Sequence, residues 1–139
     1  MTLDNYLQEA GAFATLTGIM AGFALSAVIQ LLATHKEGRL MTATIVVFAT
    51  SAMMFLYCLI VFVLSFAAAA EQNAVPTELD NMGTVALLIL FAALFDFQAG
   101  IGLAGWVRSK VTGILTSVFA LISMCLTAYV IVRVVSIFG

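Results

Sequence analysis

The sequence predicts an all-α integral membrane protein: a four-helix bundle made of two tandem helical hairpins and assembled as a homo-oligomer. Three observations carry that expectation. The chain has 139 residues, 64% of them hydrophobic and only 9% charged, whereas a soluble domain is about 45–50% apolar and about 25% charged. The apolar residues fall into four runs, 11–34, 41–70, 82–107 and 111–138, and about 20 residues suffice for one helical crossing of a bilayer. The runs are continuous and do not alternate with period two, which excludes barrel strands. Helices then remain as the way to satisfy every backbone N–H and C=O in lipid. The stubs between the runs leave no room for a soluble domain, so residues 1–139 are read as one four-span unit.

Met1–Ala10 reads as a short amphipathic lead-in, capped by Thr2 or Asp4. It carries Asp4 and Glu9 but no Lys or Arg, and the run behind it is too long for a secretory signal, so that run is the first span. The turn His35-Lys36-Glu37-Gly38-Arg39 follows, with Gly38 suited to a helix C-cap or a turn. The second run is the longest and is expected to tilt or protrude. The second loop holds Pro76 and the acids Glu71, Glu78 and Asp80, with Thr77 or Asp80 positioned to cap helix 3. The third loop is so short that helices 3 and 4 must form a close antiparallel hairpin. Val47-Phe48-Ala49 and Met53 recur as Val118-Phe119-Ala120 and Met124 at one separation, which suggests a duplicated hairpin.

Charge placement predicts orientation. Lys36 and Arg39 lie in the first loop, Arg108 and Lys110 in the third, and the N-terminus and second loop have no basic residue. The positive-inside rule therefore puts loops 35–40 and 108–110 in the cytoplasm, with a bacterial or archaeal plasma membrane as the expected setting. The formal charge of −2 implies no nucleic-acid partner. Cys58 and Cys125 lie in mid-helix with no Cys-x-x-Cys, and are read as buried small hydrophobes. His35 is the only histidine, so one chain cannot hold a haem between two histidines, and no metal or other cofactor is expected.

Asp96 is the sharpest polar signal, in the middle of helix 3. A carboxylate there costs about 2.5–3.5 kcal/mol on insertion scales and normally faces a bundle interior or a cavity. It is either a group on an ion or proton pathway or a hydrogen-bonded acid joining helices, with Gln98, Gln30, Tyr57, Tyr129 or a second copy of the chain as partner. Helix 1 carries a stripe of small and polar residues, Gly11, Thr15, Gly18, Gly22, Ser26 and Gln30, with Gly18 and Gly22 forming a Gly-x-x-x-Gly motif. Such a stripe serves tight helix packing or, at a symmetry axis, a pore wall. Gly100, Gly102 and Gly105 form a second packing patch near the end of helix 3, followed by Trp106 as an interfacial anchor beside Arg108 and Lys110. Arg133 near the chain end is placed to snorkel to the headgroups. There is no nucleophile–base pair, metal-ligand cluster or phosphate loop, so an enzyme is not expected.

The stretch Gly22-Phe23-Ala24-Leu25-Ser26-Ala27-Val28-Ile29-Gln30-Leu31 resembles the pore helix of the Orai (calcium-release-activated) calcium channels. Gly105-Trp106-Val107-Arg108 is similar to the ending of that family's third helix, and the family also has four spans. The resemblance implies a ring of subunits in which helix 1 lines a central pore. Gly18, Gly22, Phe23, Ser26 and Gln30 would then be pore-lining, with Gln30 in the place of the selectivity acid. Departures are plain: Gln30 is neutral, Gly100 stands where the family has a membrane carboxylate, the basic residues of the pore helix are missing, and the charge rule inverts the orientation.

The leading expectation is a small homo-oligomeric, channel-like protein conducting cations along helix 1. One alternative is a non-conducting membrane subunit or anchor that docks on an unknown membrane-protein partner through its Gly-rich faces. The other is a dimeric proton-coupled small-molecule transporter using Asp96.

Overall fold

The structure, a computed structural model, describes residues 2–139. It contains four helices, α1 (Leu3–Ala33), α2 (Arg39–Gln72), α3 (Thr77–Arg108) and α4 (Lys110–Phe138). All four are long and apolar enough to cross a membrane, and such surfaces require a lipid bilayer around them. The expected all-α four-span architecture is thus the one observed.

Helix ends extend beyond the apolar runs. α1 starts at Leu3 and incorporates the lead-in as continuous helix; Thr2 is its cap, its Oγ1 accepting from the Asn5 N–H at 3.3 Å. α3 starts at Thr77, with Pro76 at the N-cap position and no side-chain cap. Neither Thr77 nor Asp80 caps it; Glu78 and Asp80 instead sit in its first turn, where acids favour the positive end of the dipole. Gly38 is not the C-cap of α1, which is Thr34. It precedes α2 with φ 139°, a left-handed-side conformation that L side chains rarely adopt. Asn73 closes α2 in the αL region at φ 51°. One extended residue, Ser109, joins α3 to α4 and caps α4 by accepting from the Thr112 N–H at 3.1 Å.

Helices pack in chain order: α1 on α2, α2 on α3, α3 on α4. The main core is shared by the first three. Ala21 and Ala24 of α1, Ala52, Phe55, Cys58 and Phe62 of α2, and Ala86, Leu90 and Ala93 of α3 form one buried cluster. A smaller cluster of Tyr6, Ala10 and Ala69, with Val75 and Leu79 against it, closes the end that holds the second loop. α4 contributes to neither and buries only Gly113 and Ala120. The sequence-matched pairs occupy unlike places: Phe48 is buried, whereas Phe119 is exposed.

Candidate functional site

The polar residues of the membrane interior sit on opposite sides of α3. Residues two apart on a helix are about 200° apart around its axis, so Asp96 and Gln98 face different neighbours. Asp96 Oδ2 accepts a hydrogen bond of 2.8 Å from Ser51 Oγ of α2. The partner is therefore Ser51, a fully buried residue, and not Gln98, Gln30, Tyr57 or Tyr129. Gln98 turns to α4, where its Nε2 donates to Ser123 Oγ at 2.7 Å and to Thr127 Oγ1 at 3.1 Å. Its Oε1 is buried without a partner. Two hydroxyl-bearing seams thus fix the rotation of α2 and α4 about α3. Nothing local marks Ser51 in the sequence, because a lone Ser in an apolar run is common and its separation of 45 residues from Asp96 hides the pairing.

The small residues of α3 serve both seams. A Cβ on Gly100 would lie 2.9 Å from the Phe48 ring of α2. Gly102 and Gly105 face α4: a Cβ on Gly102 would be 3.5 Å from Ala120 Cβ, and one on Gly105 would overlap Thr116 Oγ1 and come within 2.8 Å of the Thr112 carbonyl oxygen. Gly113 of α4 answers by admitting the Trp106 ring, into which a Cβ would intrude. The Trp106 indole N–H donates to Ser117 Oγ at 2.7 Å, and Thr116 Oγ1 reaches Gly102 O at 3.2 Å. Cys58 is buried and donates to Ala86 O at 3.2 Å, while Cys125, expected to be buried, is exposed.

The stripe of α1 points elsewhere. α1 packs on its neighbours through Tyr6, Ala10, Thr17, Ala21 and Ala24. Thr17 turns its hydroxyl back onto Phe13 O at 2.8 Å, which leaves it self-satisfied in that seam. On the roughly opposite side, Gly22, Phe23, Ser26 and Gln30 are exposed. A Cβ on Gly22 would meet nothing, and one on Gly18 only Leu59 at an ordinary 3.7 Å. The Gly-x-x-x-Gly motif is therefore not the packing seam of this chain. Among the described residues, neither the Gln30 nor the Ser26 side chain has a hydrogen-bond partner, and the partner of Asp96 is Ser51.

A groove of about 280 Å³ opens at the acidic end, walled by Tyr6, Phe13, Phe62 and Phe138 with Glu9 and Asp80 among its lining. Phe13 and Phe62 stack on each other in its wall at 5.2 Å. Asp96 is not part of its wall. Among the described residues, no group of three His, Cys, Asp or Glu side chains is placed to hold a metal ion. Comparison with protein families, curated proteins and solved structures finds no match to this chain.

Proposed function

We propose that the protein is a homo-oligomeric, channel-like membrane protein in which α1 from each copy faces a common axis. The observation that carries this reading is the outward face of α1, where Gly22, Ser26 and Gln30 are exposed and Gly22 meets no neighbour. A Gln and a Ser bared to acyl chains would lack hydrogen-bond partners, a state the membrane interior penalises. Around an axis the same residues meet water and each other, and small side chains leave a passage between close helices. The likeness of this helix to the Orai pore helix points the same way. A chain with four spans encloses no pathway alone, so symmetry supplies the remaining wall.

Asp96 takes a supporting role here. Its carboxylate is tied to Ser51 between α2 and α3, away from the α1 face and from the acidic groove. That placement favours an acid that locks the scaffold behind the pore helix over one that shuttles protons for a transporter.

The test is ion flux into liposomes containing the purified protein, with potassium, sodium, calcium and chloride measured separately. Cation flux is expected, and Gln30→Glu should raise it and shift preference toward the divalent ion by placing a carboxylate ring on the path. A folded protein that passes none of these ions would overturn the reading in favour of a non-conducting subunit docking through the same face.

A further inference from the structure

The end of the molecule opposite the acidic groove gathers four of the five basic residues, Lys36, Arg39, Arg108 and Lys110. The two loops that carry them are joined: Lys36 Nζ donates to the carbonyl of Val107 at 3.2 Å. At this junction lies a cavity of about 320 Å³, at the lower end of the roughly 300–1,000 Å³ range of small-molecule sites. Its lining combines the charged residues Lys36, Arg39 and Glu37 with the apolar residues Leu40, Met41 and Trp106. Trp106 is held against Gly113 with its N–H satisfied by Ser117, yet it stays 38% exposed, so part of its ring faces outward as in interfacial tryptophans.

We propose that this cavity seats the headgroup of an anionic phospholipid. The phosphodiester lies against Lys36 and Arg39, and the first carbons of an acyl chain run along Leu40, Met41 and Trp106. Two features select this occupant. The lining carries two cations against one acid, and Arg108, next in the chain to the lining Val107, adds a third cation to the local field. The apolar residues of the lining have no use for a free anion in water but fit a lipid held in the same bilayer plane as the helices. Glu37 sharpens the requirement, since it weakens the site for any anion and leaves lipid contact to make up the difference.

Trp106 is the only tryptophan, so its fluorescence reports this cavity directly. The full-length protein in neutral detergent would be titrated with phosphatidylglycerol, phosphatidylcholine and free glycerol phosphate. A saturable change in Trp106 emission is expected with phosphatidylglycerol alone, weakening as salt rises. The double variant Lys36→Gln, Arg39→Gln should bind roughly 30-fold more weakly, the loss of two basic contacts to an anionic lipid, while Arg133→Gln binds like the parent. Glu37→Gln should bind more tightly, a gain that a misfolded protein does not show. An equal response to phosphatidylcholine would reduce the site to ordinary lipid contact, and an equal response to glycerol phosphate would make it a phosphate site. Either result, or unchanged affinity in the double variant, overturns the proposal.

Discussion

Ser51 and Asp96 show what a single hydroxyl does in an apolar scaffold. The carboxylate is costly in the membrane by about 2.5–3.5 kcal/mol, and Ser51 is the side chain that donates to it, at 2.8 Å. Ser51→Ala leaves Asp96 without that donor and should destabilise the protein by about 1–2 kcal/mol. Asp96→Asn keeps an acceptor oxygen for Ser51, so its effect should stay below about 1 kcal/mol. Hydrogen bonds between membrane helices average about 0.6 kcal/mol in double-mutant cycles, with a maximum near 1.7, and the coupling between the two sites should fall in that range. Unfolding in mixed micelles with a denaturing detergent gives all three values. A Ser51→Ala protein as stable as the parent would remove the structural role assigned to Asp96.

At the scale of the helix, two glycines of similar appearance in the sequence have opposite surroundings. Gly105 lies where α4 crosses α3, and a Cβ there meets Thr116 and the immovable Thr112 carbonyl. Gly22 lies on open surface. Gly105→Val should therefore loosen α4, which buries only Gly113 and Ala120, at a cost of about 1–3 kcal/mol, visible as a lower unfolding midpoint and faster hydrogen exchange along α4 than along α2. Gly22→Val should leave the single chain's stability unchanged and reduce assembly between chains, read by crosslinking; an unchanged Gly105→Val protein would show that the α3–α4 seam is misplaced. The contrast also marks how far the sequence could be read. Hydropathy revealed the four spans because lipid makes one demand on all of them. It set α1 at residue 11 and α3 at residue 82, whereas the helices begin at Leu3 and Thr77, because charged residues leave the lipid without leaving the helix. The glycine patch of α3 marks close approach but not the neighbour, and the Gly-x-x-x-Gly motif of α1 makes no close approach within the chain, since both depend on the rotation of each helix. The Ser51–Asp96 pairing depends on the same rotation and left no local signal.

At the scale of the whole molecule, charge is divided between the two ends. Asp4, Glu9, Glu71, Glu78 and Asp80 mark one end, with Arg133 of α4 the lone cation toward it, and Lys36, Arg39, Arg108 and Lys110 mark the other, with Glu37 the lone acid among them. Four helices packed in chain order put the first and third loops together, and the Lys36–Val107 hydrogen bond joins them. The insertion bias acts on that summed group of cations, so the basic end should face the cytoplasm. In a background lacking Cys58 and Cys125, a membrane-impermeant maleimide added to intact cells should label Asn73→Cys at once and Glu37→Cys only after permeabilisation. Both substitutions spare every basic residue, so they leave the bias itself in place. The reverse pattern would give the chain the orientation of the Orai family, with its first and third loops outside, and would mean that four cations do not set the direction of insertion here. Labelling of both positions in intact cells would instead mean insertion in both directions. That outcome would bear on assembly as well, because a parallel ring of α1 helices requires every copy to enter the membrane the same way.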